Sequence, residues 1–367
     1  MSRYFSFLLI ALLAVSLVAC GEDEDGAPGQ AGAATATPVT AAEGDTTPEA
    51  ETTDDTEQIT IVATTSQIGA LVQEIAGDEV ELRVLMGPGV DAHSYEVTPD
   101  DIRAMSEANL ILRNGIGLDD FLDDSIEAAG GNAEVVTVTD GIDLIEGGAV
   151  EHDDEHAAHD EDEHDDEHAD DEDEHHEDDE HADDEDDHGH GENDPHVWHD
   201  PANAKLMVDH IAAALSMADA GRAATFEENA GAYKTVLDET DAEIQAMIDE
   251  IPAENRKLVT NHDAFGYFIQ AYGLEFVGAV IPSTSTDAEP SAREIAELSE
   301  VIEHENVQTI FAESSVDPRI AEQLAADTGV EIVYGLYSDS LGEPGSGAES
   351  VHGMLLANAT LISEALK

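Results

Sequence analysis

Residues 59–86 read ITIVATTSQIGALVQEIAGDEVELRVLM. Ile59-Thr60-Ile61-Val62-Ala63 is a β-branched run of the kind that fills a buried strand. Ile68 to Ala76 carries apolar residues at helical spacing, and Val80 to Met86 returns to strand. Leu110-Ile111-Leu112-Arg113 and Val135-Val136-Thr137-Val138 extend the pattern. Strands alternating with helices predict an α/β domain with a largely parallel sheet.

The alternation repeats further on. Leu258-Val259-Thr260, Val277 to Ile281, Thr309-Ile310-Phe311 and Ile332-Val333-Tyr334 are strand candidates, and Ser350 to Leu366 has helical spacing. Between the two sets, Asp219 to Ile251 contains no proline, with Tyr233, Val236, Leu237, Ile244 and Met247 at helical spacing. Such a length exceeds that of an ordinary globular helix and suits a bridge. The expected fold class is α/β, two lobes with mostly parallel sheets flanked by helices, joined by one long helix. The expected boundaries are a signal peptide over 1–19, a lipidated cysteine and flexible tether over 20–58, and a first lobe over 59–218. A linking helix over 219–251 and a second lobe over 252–367 follow.

Arg3 precedes an apolar run from Phe5 to Ala19, too short to span a bilayer and of signal-peptide length. It ends Leu17-Val18-Ala19-Cys20-Gly21, the setting in which bacterial lipoproteins diacylate a cysteine. Cys20 is the only cysteine, so its lipidation leaves no thiol for a disulfide or a thiolate metal site. A metal would then rest on His, Asp or Glu. The lipid predicts an extracytoplasmic chain anchored to a membrane it does not cross. Residues 21 to about 57 have almost no large apolar side chain and read as tether.

Lys and Arg number 12 against 86 Asp and Glu, a formal charge of -74. A surface so acidic repels nucleic acid and anionic lipid and attracts cations. It also suits a high-salt habitat, so charge alone names no function.

Ten of the 17 histidines fall between His152 and His190, interleaved with carboxylates in a disordered loop expected over 151–193. His152-Asp153-Asp154-Glu155-His156 matches a zinc-peptidase pattern, but no apolar face is present to hold the imidazoles on a packed helix. Imidazole and carboxylate at this density bind divalent transition metals weakly at several places, so a metal-collecting loop is expected rather than a plain acidic spacer.

Three histidines outside the loop lie in unusual settings. His93 sits in a turn after Gly87-Pro88-Gly89, His196 follows Asp194-Pro195, and His262 comes directly after the strand Leu258-Val259. The C-terminal ends of strands are where open α/β sheets place ligand sites. Each alone fits a structural role, whereas three in loop entries suggest a shared metal.

With these residues in place, the chain resembles the metal-binding lipoproteins of zinc and manganese ABC importers, the ZnuA and TroA type. The motifs are VATTSQ (62–67), His93 to Pro99, Asp194 to Trp198, VTNHDAFGYF (259–268), EPSA (289–292), FAES (311–314) and DSLGEPG (339–345). The resemblance implies a periplasmic metal-binding protein of the helical-backbone type. Its metal would lie between the lobes on His93 and His196 from the first and His262 and Asp339 from the second. His262 stands at a position where manganese-type members usually carry a carboxylate. Three imidazoles and one carboxylate suit Zn²⁺, with Mn²⁺ as the alternative. Ala92 departs from the proline usual before the first histidine, and His199 departs from the usual residue after Trp198. A surface position is expected for His199, with an outer contact to the site as the alternative.

The implied function is capture of zinc and delivery to an ABC importer permease, by a monomer and without catalysis. A zinc hydrolase is the less favoured reading, because Asp339 would close the position that a catalytic zinc leaves open and no general base or nucleophile motif stands nearby. A metal-dependent adhesin or passive zinc store is the other alternative.

Overall fold

The structure, a computed structural model, describes residues 58–147 and 193–367. The expected signal peptide, Cys20, and all but the last residue of both the tether and the histidine-acid loop lie outside the described residues.

The chain enters order as strand β1, Thr60–Thr65, and turns at once into helix α1, Ser66–Ala76. The Thr65 hydroxyl accepts from the Ile68 amide at 3.3 Å, so the last strand residue caps the helix. Then come β2 (Glu81–Met86), α2 (Pro99–Glu107), β3 (Leu110–Arg113), α3 (Asp123–Ala129) and β4 (Glu134–Thr137). All pair in parallel, in the order β2-β1-β3-β4. Five of the six residues of β1 are buried, as a strand covered on both faces requires.

Helices α4 (Pro201–Ala218) and α5 (Ala223–Asp249) come next. The long helix is therefore shorter at both ends than the sequence pattern suggested. Asp219 explains the start: its side chain accepts from the Gly221 and Arg222 amides at 3.0 and 3.3 Å, a local bond that competes with helix and breaks α4 from α5. Buried Phe226, Ala230, Tyr233, Leu237, Ile244 and Ile248 recur about once or twice per two turns of α5.

The second sheet repeats the first. Its elements are β5 (Lys257–His262), α6 (Gly266–Tyr272), β6 (Glu275–Ile281), α7 (Ala292–His304), β7 (Thr309–Glu313), α8 (Arg319–Thr328) and β8 (Glu331–Leu336). Helix α9, Val351–Leu366, closes the chain. The strand order is β6-β5-β7-β8, again all parallel. In each sheet the chain reverses direction of growth between the first and third strands. That reversal opens a crevice beyond their C-terminal ends, where such sheets bind ligands.

α5 packs against α1 and α4 and also against α9. One continuous apolar cluster runs through β1, α1, α4, α5 and α9, and a smaller one fills the space between the second sheet and α7 and α8. Shared packing of this kind resists a wide hinge, because close-packed interiors deform little. Among the described residues no helix is long and apolar enough to cross a membrane.

The segment that carries His93 is anchored at its far end by a capping box. Thr98 Oγ1 accepts from the Asp101 amide at 3.3 Å, and the Asp101 carboxylate accepts from the Thr98 amide at 2.9 Å and from the Tyr95 hydroxyl at 2.7 Å. Thr98→Ala is expected to lower stability by about 1 kcal/mol, the usual cost of losing such a cap, read as a shifted urea midpoint.

Candidate metal centre

His93, His196, His262 and Asp339 come together, each offering one ligand atom within 4.8 Å of the others. They arrive from four separate places. His93 sits in the turn between β2 and α2, held by its amide to Asp91 Oδ1 at 3.0 Å. Asp91 Oδ2 accepts from Thr286 Oγ1 at 2.7 Å, which ties this turn to the second lobe. His196 opens a short turn leading into α4, and His262 is the last residue of β5. Asp339 lies in the loop after β8.

The Asp339 loop is gripped from the first lobe. Trp198 Nε1 and Gln67 Nε2 donate to the Ser338 carbonyl at 3.1 and 3.3 Å, the Gly89 amide donates to Ser340 Oγ at 2.5 Å, and the Leu341 amide donates to Ser66 Oγ at 3.0 Å. The three bonded residues bracket the carboxylate on both sides. Residues of the first lobe thus hold the Asp339 loop directly.

His196 Nε2 is 3.0 Å from Asp339 Oδ1, His262 Nε2 is 3.4 Å from Oδ2, and His93 Nε2 is 3.4 Å from His196 Nε2 and 3.8 Å from Oδ1. Donors bound at about 2.0–2.1 Å to a tetrahedral ion stand roughly 3.3–3.4 Å apart. These separations bracket that value. Both Asp339 oxygens and His262 Nε2 are buried and meet no polar group outside the cluster itself. Buried polar atoms in that state are costly unless something else meets them, and a cation among them would.

Two imidazoles are backed by carboxylates on their far nitrogen. Asp194 Oδ1 lies 2.7 Å from His196 Nδ1 and also accepts the His196 amide at 2.9 Å. Glu313 Oε2 lies 2.6 Å from His262 Nδ1. His93 has no such partner among the described contacts. The electrostatics follow. Burial drives the His93 imidazole down to about 4, against the pull of Asp339. Burial would lower His196 too, yet Asp194 and Asp339 outweigh it and lift it to about 9. His262 is held well above the ordinary histidine value by Glu313 and Asp339 despite complete burial. Asp339 is held well below the carboxylate range by His262 and His196, again against burial.

His199 corrects an expectation. It is fully buried rather than at the surface, its ring 4.6 Å from that of Phe265 at 35°. The short turn after His196 rotates it inward beneath the centre. Neither ring nitrogen has a hydrogen-bond partner, and burial together with His196 lowers it to about 3, so it stays neutral. Among the described residues the other histidines stay apart from the centre: His210 bonds the Val138 carbonyl, His304 pairs with Glu305 at the surface and His352 meets Tyr233. Asp194 and Glu313 were not singled out from sequence, although both lie in motifs that were. A charged residue ending the apolar strand Thr309–Glu313 was the available signal.

Two like-ordered parallel sheets with one histidine-carboxylate cluster between them define a bilobal metal-binding protein. The chain belongs to the ZnuA family, zinc-uptake complex component A periplasmic, whose model matches residues 61–365. It is 31% identical over 316 residues to the manganese ABC transporter substrate-binding lipoprotein PsaA of Streptococcus mitis, covering 84% of this chain and 90% of that one. It is likewise 31% identical over 311 residues to the zinc-binding protein TroA of Treponema pallidum, covering 83% and 88%. The solved structure of that periplasmic zinc-binding protein matches with a TM-score of 0.70 at 30% identity, over 84% of this chain and 99% of that chain. These relatives are transport proteins that bind a metal, not enzymes.

Proposed function

We propose that this protein captures Zn²⁺ between its lobes on His93, His196, His262 and Asp339 and hands it to the permease of an ABC importer. The observation that carries this is the buried Asp339 carboxylate, whose two oxygens meet no donor other than the three imidazoles they face. The metal is cargo. It enters as a divalent ion, displaces protons from the cluster and draws the Asp339 loop and the His93 turn together. Binding then favours the closed arrangement, and the permease recognises that form. The shared apolar core limits the movement to a modest tilt.

Zinc is preferred to manganese on donor chemistry. Three nitrogens and one carboxylate match zinc, while Mn²⁺ favours oxygen-rich shells. Relatives named for manganese and for zinc both occur, so their names do not decide the matter. Competitive titration against a chelator of known affinity tests the preference, with one tight zinc equivalent and weaker manganese expected. Manganese binding tighter than zinc would reverse it.

We further assign Cys20 as the lipidated residue, with 1–19 removed and 20–58 as the tether that lets a monomeric protein reach the permease. Mass spectrometry of the mature N-terminus checks this, and Cys20→Ser is expected to release the protein from the membrane.

The histidine-acid loop is assigned an accessory role. Its ends are paired: Glu146 and Asn193 form an antiparallel bridge, and the Asp194 amide donates to the Ile145 carbonyl at 2.9 Å. Bridged residues have Cα atoms roughly 5 Å apart, so a short linker can replace the loop. Deleting residues 151–192 is expected to remove several weak zinc equivalents and to leave the tight one, as counted by equilibrium dialysis. Loss of the tight equivalent would move the primary site into the loop.

A further inference from the structure

Glu313 occupies a place that the four-residue centre does not account for. It ends β7 at a point where the pairing with β8 shifts register, between Ala312 and Glu313, and such irregularities re-aim a side chain. Its carboxylate is buried and directed across the gap between β7 and β5, the switch point of the second sheet. Oε1 accepts the His262 amide at 2.9 Å. Oε2 accepts from Ser338 Oγ at 2.6 Å and lies 2.6 Å from His262 Nδ1. The Glu313 amide in turn donates to Asn261 Oδ1 at 3.3 Å.

One side chain thus grips both ligand-bearing segments of the second lobe: His262 by backbone and ring, and the Asp339 loop through the residue before it. Ser338 is also the residue whose carbonyl takes the Trp198 and Gln67 donors from the first lobe. We infer that Glu313 is a positioning residue that sets which His262 nitrogen faces the metal and makes the site favour zinc. With Nδ1 turned to Glu313, Nε2 is the nitrogen left to bind. A carboxylate behind a ligating imidazole fixes its tautomer and strengthens its donor power, and outer-shell partners of this kind are worth 10–100-fold in metal affinity. A stronger nitrogen donor benefits Zn²⁺ more than Mn²⁺. This inference rests on the metal site proposed above.

The test uses the full chain with zinc alone, manganese alone and the two in competition. Glu313→Gln keeps the size and can still bond Ser338, so it removes the charge with little change of shape. It is expected to bind zinc about 10–100-fold more weakly than the parent and to show a smaller zinc-to-manganese affinity ratio. Glu313→Asp, which restores the charge, should recover part of the ratio. In zinc-loaded protein labelled with ¹⁵N-histidine, the parent should show His262 protonated at Nδ1, and Glu313→Gln should shift or lose that resonance. A merely structural role moves neither the ratio nor the resonance.

Unchanged affinity and ratio in Glu313→Gln would overturn the inference, as would a parent in which His262 binds through Nδ1. If Glu313→Gln does not fold, Ser338→Ala serves instead. That variant frees the carboxylate from one partner and should weaken zinc severalfold, and no change in it would overturn the inference as well. A parent with no tight zinc equivalent is a different result, since it removes the metal site itself whatever Glu313 does.

Discussion

Replacing His262 by alanine is expected to weaken the tight zinc equivalent by more than about 100-fold, beyond the 10–100-fold that loss of an outer-shell partner costs. The imidazole is fully buried and ends β5, so no other donor can swing into its place. What remains is two imidazoles and one carboxylate, with the Glu313 carboxylate left facing a void. His262→Gln keeps more of the volume and should weaken zinc comparably, which separates loss of a ligand from loss of packing. His262→Asp replaces nitrogen by oxygen and is expected to narrow the gap between zinc and manganese, since oxygen donors suit Mn²⁺. Competitive titration of the three variants measures both effects. Tight binding unchanged in His262→Ala would remove His262 from the ligand set.

The second large effect is on pH. In the metal-free cluster His196 lies at about 9 and His262 well above the ordinary value, so both are protonated at neutral pH, whereas His93, at about 4, is not. A metal must displace the first two protons and has none to displace from His93. Affinity for zinc is therefore expected to rise with pH from about 6.5 to 9, by roughly tenfold per pH unit for each proton displaced. Stability of the metal-free form runs the other way. A raised histidine contributes stability that is complete below its unfolded value of about 6.5 and is lost as pH rises through about 9. Calorimetry in buffers of differing ionisation enthalpy counts the protons: release of about two near pH 7 is the expected result, and none released would contradict the charge state of the cluster.

Much of the fold could be read from the chain because the strands are short β-branched runs. Ile59 to Ala63 and Thr309 to Phe311 fall within β1 and β7 or at their edges, and Ser350 to Leu366 covers α9. The long helix was misplaced at its start because one side chain, Asp219, breaks it, and apolar spacing does not register a single local hydrogen bond. His93, His196 and His262 stood out because each follows a turn or a strand end. His199 did not behave as expected. A helical turn of three residues has no periodicity from which to tell an inward from an outward ring, and the stacking partner Phe265 comes from the other lobe. Glu313 was hidden for a like reason, since its role depends on a register shift and on contacts with His262 and Ser338 made only on folding.

Among the described residues the centre is built from both lobes, and the carboxylate that completes it is held by donors from the opposite one. On the proposed reading, binding and closure are one event at Asp339. Ser66 and Trp198, which touch the loop and not the metal, take part in it through the backbone on either side.

Anomalous diffraction at the zinc edge, from crystals of the full chain loaded with one equivalent of zinc, tests the central claim most directly. The expected result is one dominant peak enclosed by His93, His196, His262 and Asp339, with ligand distances of about 2.0–2.2 Å. A dominant peak anywhere else, or none within this cluster, would contradict it.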